Sequence, residues 1–523
     1  MKLSNISFSL ANPHPRQLDG IQKLGLGLAA LSLLLLIVAL LGISLPSGGL
    51  TLAVAMGLLL AGMLIYARRT YLKGPAGIKN NGVWFSTLTN GGLWGWVFGI
   101  FITGFYVLLY FFPATLGLGA DGAPNTGLVA LFGPLSRLLK GQPASQWFMY
   151  GVLYTVAILV MGAKFAYKYR HNRYQLIRTG SVVFFQTAFA FLIPELMEGL
   201  NSNLAARWFD KDMKNMWPLD YDFFDKWHID NMLNGGSIGL FMFVLGLLMI
   251  FVISPFLTYR YGKRWYCSWV CGCGGLAETA GDPFRQLSDK SLAAWRLERW
   301  IIHSVLLLSV VMTIAVVYSY LGVGPGKYYL TRRSFTWIIV GLMVGAGLVL
   351  VVLQRRYQRL RRNMVYIMSG LGALIAVVIL INHFSGERDI LFVKAASLRS
   401  FYGFYIGAIF SGVIGVGFYP LFGSRVWCRF GCPMAALLGI QQRLFSRFRI
   451  TTNGGQCISC GNCSTYCEMG IDVRWYAQRG QDVIRASCVG CGICSAVCPR
   501  GVLRLENSSV EIAEPTSFID FQR

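Results

Sequence analysis

The chain has 523 residues, of which 55% are hydrophobic and only 13% charged, and its formal net charge is +24. A soluble globular enzyme is excluded, because such domains carry about 25% charged residues. A basic excess of this size would suit a nucleic-acid binder, but no nucleic-acid motif accompanies it.

Apolar runs long enough to cross a bilayer recur along the chain. Ten are read, at residues 24–46, 50–67, 91–113, 148–168, 180–196, 236–257, 300–322, 335–353, 364–382 and 401–421. The fifth is the least regular, since Pro194 and Glu195 stand at its end. The first run is too long, and too soon followed by another, for a cleaved signal peptide. Residues Met1–Lys23 are therefore expected to be retained and cytoplasmic. An even number of spans puts both termini on one side.

The charges agree with that topology. The ends assigned to the inside carry Arg68, Arg69, Lys73 and Lys79, then Lys168, Arg170, Arg173 and Arg178. Lys263 and Arg264 follow, then Arg355, Arg356, Arg359, Arg361 and Arg362. The loop 197–235, assigned outside, holds Glu198, Asp210, Asp212, Asp220, Asp222, Asp225 and Asp230 against Arg207, Lys211, Lys214 and Lys226. This is the positive-inside pattern, and it accounts for the net charge without nucleic acid. All 13 cysteines fall on or near the inner side, where a reducing compartment keeps thiols available as ligands.

An internal repeat follows. Gly262-Lys-Arg264-Trp-Tyr266-Cys267-Ser-Trp-Val-Cys271 aligns with Gly423-Ser-Arg425-Val-Trp427-Cys428-Arg-Phe-Gly-Cys432, shifted by 161 positions (267 to 428). Both read G-x-R-x-aromatic-C-x3-C, both close an apolar span, and Phe284 and Phe445 keep the same shift. Two related membrane halves are expected. A C-x3-C pair on a helix puts both sulfurs on one face. Cys267, Cys271, Cys428 and Cys432 would then offer four thiolates to one metal or cluster. Redox-active thiols without metal and simple packing are the other readings. Cys273, opposite Met434, is a spare soft ligand or nothing. Arg264 and Arg425 either anchor at the interface or offset thiolate charge, and the repeated position favours the second.

The C-terminal cysteines are the most specific signal. C-x2-C-x2-C-x3-C occurs twice, as Cys457, Cys460, Cys463, Cys467 and as Cys488, Cys491, Cys494, Cys498 with Pro499 after it. This is the bacterial run for two 4Fe–4S clusters, whose fourth cysteine ligates the other cluster. One cluster is expected on Cys457, Cys460, Cys463 and Cys498, the other on Cys488, Cys491, Cys494 and Cys467. A structural zinc site would need only C-x2-C pairs. Cys467 departs from the pattern, being followed by Glu468 instead of a turn-forming proline.

The expected fold is mainly α: a polytopic helical membrane protein of about ten transmembrane helices with an internal repeat, followed by an α+β ferredoxin domain for two 4Fe–4S clusters. The expected domains are a four-helix extension over 1–164, membrane repeats over 165–290 and 291–449, the ferredoxin domain over 450–507 and a tail over 508–523. The histidines argue against haem: His303 and His383 fall at opposite ends of their spans, about 30 Å apart, and His171 sits in a basic loop. Glu195 and Glu198 are read as interfacial rather than as a proton path. No phosphate-binding glycine loop follows a strand, so no nucleotide site is expected.

Two membrane C-x3-C motifs followed by a double ferredoxin run resemble the polyferredoxin membrane proteins of the NapH and NosR type. The copper-reducing CcoG proteins are more distantly similar. The resemblance covers roughly residues 165–507, and leaves the first four spans and the loop 197–235 without a motif. That family places proline after each C-x3-C; Cys432-Pro433 keeps it, whereas Gly272-Cys273 follows Cys271. The resemblance implies electron transfer in the bacterial inner membrane between quinone or quinol and an iron–sulfur or haem partner subunit. Rival expectations are a copper reductase or metal-insertion factor working at the C-x3-C pairs, and an ion-translocating redox subunit.

Overall fold

The computed structural model describes residues 18–43, 47–72, 92–119, 123–201, 217–322, 328, 330–356, 362–386 and 393–507. Lys73, Lys79, Arg207, Asp210, Lys211, Asp212, Lys214, Arg359, Arg361 and the expected tail 508–523 lie outside the described residues, as does most of Met1–Lys23.

Among the described residues, nine helices are long and apolar enough to cross a membrane. They are Gly20–Leu40, Gly48–Tyr71, Leu93–Phe111, Gln146–Lys168, Arg173–Gly199, Gly236–Tyr261, Leu292–Tyr320, Arg332–Val349 and Ala395–Gly417. Each falls on an expected run. The remaining run, 364–382, lies in the helix Arg362–Ser385, whose described apolar part Ser369–Ser385 is shorter. Leucine, isoleucine, valine and phenylalanine dominate the faces these helices leave exposed, as bilayer contact requires.

Local chemistry explains several element boundaries. Asp19 caps the first helix by accepting from Gln22 N–H at 2.8 Å, while the Gln22 amide oxygen accepts from Asp19 N–H at 3.0 Å. The first two helices cross where Gly25 meets Gly62, and a β-carbon on Gly25 would stand 2.7 Å from Gly62 O. Only glycine lets the backbones approach so closely.

The fifth span runs past Pro194 because the stretch Phe185–Leu192 is π-helical. The sixth does the same, with π-helical Met249–Ile253 before Pro255. A proline ring collides with the carbonyl four residues back in a regular helix. A wider i→i+5 turn relieves that collision, and Ser254 Oγ donates to Met249 O at 2.5 Å. The tenth span is π-helical over Gly403–Ile414. All three lie in the repeats that carry the C-x3-C motifs.

Part of the acidic loop folds back between spans: Trp217 Nε1 donates to Thr313 Oγ1 at 2.7 Å, and the Tyr221 ring lies 5.6 Å from that of Tyr402. Arg399 binds Asp222 at 2.7 Å and also pairs with Asp225. Glu195 forms an ion pair with Lys140 at 2.8 Å.

The C-terminal domain is small. β1 (Phe448–Thr452) pairs antiparallel with β2 (Leu503–Asn507), with Ile450 opposite Leu505. Between the strands lie two near-copies of one unit. Short helices Asn462–Thr465 and Ile493–Ala496 each start after a left-handed glycine, Gly461 or Gly492.

Candidate functional site

The two cysteine runs form two cavities, and each cavity takes its fourth cysteine from the other run. Cys457, Cys460, Cys463 and Cys498 line one, with an empty volume of about 360 Å³. Cys467, Cys488, Cys491 and Cys494 line the second, of about 370 Å³. Four thiols around a hollow fit a 4Fe–4S cluster, which is held by four cysteines. A single tetrahedral ion would draw its sulfurs to within about 3.8 Å of one another, given zinc–sulfur bonds near 2.3 Å. Among the described residues no group of three or more His, Cys, Asp or Glu converges tightly enough for a single ion.

The second cavity is pressed against the membrane body, and four successive carbonyls of its loop are held there. Gln442 Nε2 donates to Cys488 O, Ser268 Oγ to Val489 O, Tyr174 OH to Gly490 O and Gln175 Nε2 to Cys491 O, each at 2.9 Å. The donors come from both repeats. The first cavity is instead rimmed by exposed Ile458, Ser459, Arg474, Pro499 and Arg500.

The C-x3-C pairs do not lie on one continuous helix. Cys267 ends the short helix Arg264–Cys267, and Cys271 caps the next, Gly272–Thr279. Cys428 lies in the π-helical turn Trp427–Gly431, and Cys432 caps Pro433–Phe445. The expected one-helix face is thereby corrected. The glycine of each motif ends the preceding helix with positive φ, +66° at Gly262 and +97° at Gly423. A sharp turn follows, then a second break at the last cysteine, where Pro433 suits a first helical turn. Sequence spacing alone did not separate one helix from two short ones. The break places Cys271 and Cys432 at helix N-termini, where free N–H groups favour a thiolate, although at Cys432 burial outweighs this and pushes the thiol up. Ala435 N–H donates to Cys432 Sγ at 3.4 Å.

The two pairs are brought together. All four cysteines pack in or against one apolar cluster with Trp265, Tyr266, Trp427 and Met434. Arg425 Nη1 reaches both halves, donating to Cys267 O at 3.1 Å and to Cys428 Sγ at 3.7 Å. Cys273 packs against the same cluster. Burial pushes the Cys267 thiol up to about 12 and the Cys488 thiol up to about 11. Such thiols surrender their protons only to a strongly binding partner. Cys271 is lowered instead, by its hydrogen bond with Cys273 and by Gly274 N–H, against the opposing effect of burial.

Arg264 and Arg425 do not share a role, although they share a repeat position. Arg425 lies by the Cys428 sulfur. Arg264 turns the other way, donating to Asn507 Oδ1 at 2.9 Å and stacking 4.5 Å from the Phe448 ring. The ferredoxin strands meet Arg264 through Phe448 and Asn507, while Arg425 meets Glu468 and Cys428, so the equivalent arginines have different neighbours.

A buried ionic network, missed in the sequence, joins the domain to the body. Glu468 accepts from Arg285 Nη1 at 2.6 Å and from Arg425 Nε at 2.9 Å. Arg285 Nε donates to Asp282 Oδ1 at 2.8 Å, and Lys168 Nζ to Asp282 Oδ2 at 2.7 Å. Glu278 pairs with both Arg425 and Arg178. Burial would raise the Asp282 carboxyl, but Lys168 and Arg285 hold it below its usual value. Glu468 is likewise lowered against burial by Arg285 and Arg425. The available signal was the glutamate in place of proline after Cys467. Its partners, far apart in sequence, carried none.

Comparison with known families agrees with the geometry. Residues 242–291 and 404–451 both match a 4Fe-4S binding domain, and residues 449–503 match a 4Fe-4S dicluster domain. The two matches to one domain cover the two C-x3-C motifs. Over 229 residues the chain is 26% identical to YccM of Escherichia coli (strain K12), itself provisionally described as an electron transport protein. The similarity covers 43% of this chain and 46% of that protein, less than half of either. No solved structure matches the chain. These matches and the helical body together fit a polyferredoxin-type membrane protein with an iron–sulfur electron-transfer role.

Proposed function

We propose that this iron–sulfur membrane protein carries single electrons between quinol in the bilayer and a redox partner protein on the cytoplasmic side. The observation that carries the reading is the layering of thiols, from the Cys267/Cys428 centre through the inner cavity to the outer one. In this reading Cys457, Cys460, Cys463 and Cys498 hold one 4Fe–4S cluster, and Cys467, Cys488, Cys491 and Cys494 hold the other. Cys267, Cys271, Cys428 and Cys432 hold a further cluster or metal. A 4Fe–4S cluster, when bound, supplies a one-electron carrier whose potential follows local charge, hydrogen bonding and exposure.

The chain's own residues do the rest. Gln442, Ser268, Tyr174 and Gln175 fix the loop Cys488–Cys491 on the body, so the inner thiols keep a constant separation from Cys428. Trp265, Tyr266 and Trp427 exclude water from the C-x3-C centre. Arg425 offsets negative charge at Cys428. On this reading residues 1–164 form an extension, 165–290 and 291–449 two membrane repeats, and 450–507 the ferredoxin domain.

Purified protein in liposomes tests the function. Quinol with the native partner is expected to change the visible absorption of the bound iron. Cys428→Ser is expected to slow that change at least about tenfold, a barrier change of ~1.4 kcal/mol, while the ferredoxin signals persist. An unchanged rate removes the C-x3-C centre from the path. Copper reduced or retained in place of iron would move the protein to the metal-handling class.

Orientation has its own test. The proposal includes a cytoplasmic ferredoxin domain in a bacterial inner membrane, a reading supported by the basic residues at the span ends assigned to the inside. An impermeant thiol reagent should label a cysteine put at exposed Lys226 in intact cells, and one put at exposed Arg504 only after permeabilisation. The reverse pattern inverts the topology.

A further inference from the structure

Glu468 occupies the position that Pro499 holds in the second run. The two turns are otherwise alike. Gly470 N–H donates to Cys467 O at 3.1 Å, and Gly501 N–H to Cys498 O at 3.3 Å. Gly470 and Gly501 have φ of +65° and +63°. The same turn forms with proline, so the carboxylate is not there to shape it.

Burying a carboxylate costs several kcal/mol unless it is well paired, and the Glu468 side chain has 0% exposure. Its pairing is specific. Arg285, from the end of the first repeat, and Arg425, from the second motif, each take one oxygen, at 2.6 and 2.9 Å. Ser288 Oγ donates to the Glu468 backbone carbonyl at 2.8 Å. Arg425 then reaches onward to Cys267 O and Cys428 Sγ. Glu468 is bonded through the backbone to Cys467, which lines the inner cavity. A short polar bridge therefore runs from Cys467 through Glu468 and Arg425 to Cys428.

We infer that Glu468 is a positioning residue that couples the inner cysteine set of the ferredoxin domain to the C-x3-C centre, by holding Arg425 between Cys467 and Cys428. The inference rests on the proposed reading of both thiol groups as redox centres. Two consequences follow. Loss of the Glu468 charge leaves Arg425 and Arg285 less neutralised, and the added positive charge favours the electron-rich state of both centres. Arg425 is also released toward Glu278, its remaining acidic partner, which weakens the contact with Cys428 and slows exchange of electrons across the bridge.

Two variants of the full chain in nanodiscs test this. Glu468→Gln removes the charge and keeps the shape. Glu468→Pro copies the turn of Cys498-Pro499. Both are expected to keep wild-type iron and sulfide. At a fixed applied potential, both should raise the reduced-to-oxidised ratio of the inner set about tenfold, a shift of one factor of ten per ~1.4 kcal/mol. Hydrogen exchange over residues 467–471 should rise with it, independently of turnover. Full iron with unchanged ratio and exchange in either variant overturns the inference. Loss of iron in both also overturns it, by making Glu468 a determinant of the domain fold. A wild-type protein without iron would instead sink the functional reading beneath it.

Discussion

Replacing Cys498 with serine is expected to remove the iron held by the outer cavity and to leave the inner site loaded. Cys498 belongs to the second run, yet it lines the cavity made by Cys457, Cys460 and Cys463. A serine hydroxyl is a far poorer iron ligand than a thiolate at neutral pH. Three cysteines beside an exposed rim, with Arg474 and Arg500 open to water, cannot make up the loss. The inner site keeps all four of its thiols and its carbonyl clamps from Gln442, Ser268, Tyr174 and Gln175. Iron analysis with electron paramagnetic resonance should show about four irons per chain and one of two ferredoxin signals gone. Loss of the inner signal with the outer one intact would mean that each run serves its own cluster, and the crossed ligand sets would be wrong.

Arg285→Met is expected to loosen the ferredoxin domain from the body, at a cost of about 3 kcal/mol, the lower end for breaking a buried pair. Arg285 has 0% side-chain exposure and serves two carboxylates, Asp282 and Glu468. Methionine fills similar space but leaves each acid one donor short. Lys168 still covers Asp282 and Arg425 still covers Glu468, which keeps the cost at the lower end. Because each 1.4 kcal/mol is about tenfold in an equilibrium, exchange at the docked carbonyl loop should rise on the order of a hundredfold. Exchange within β1 and β2 should change far less, since their ladder does not involve Arg285. Wild-type protection of residues 488–491 in this variant would show that the four carbonyl clamps alone hold the domain.

The contrast between these residues explains what could be read in advance. Cys498 announced itself, because ligand spacing along a chain is fixed by the size of a cluster and the reach of a turn. The membrane spans did so too, since a bilayer of fixed thickness demands runs of fixed length. Pro194 looked like an obstacle to the fifth span and was not, because a π-helical stretch upstream widens the turn. Such a stretch depends on packing and leaves no periodic mark. The C-x3-C pairs looked helical, and their division between two short helices became clear only once the positive-φ glycines were placed.

The sequence by itself determined the membrane body, the repeated C-x3-C motif and the spacing of the two ferredoxin cysteine runs, because each rests on local spacing or on a repeated pattern. The tertiary structure alone decided that Arg264 and Arg425, equal in sequence, part company, and that Glu468 joins two distant arginines. The physical reason is that a buried charge is satisfied by whatever lies beside it in space. Arg285, Arg425 and Glu468 stand more than forty residues apart along the chain, so only the packing of two repeats under one domain brings them within hydrogen-bond reach.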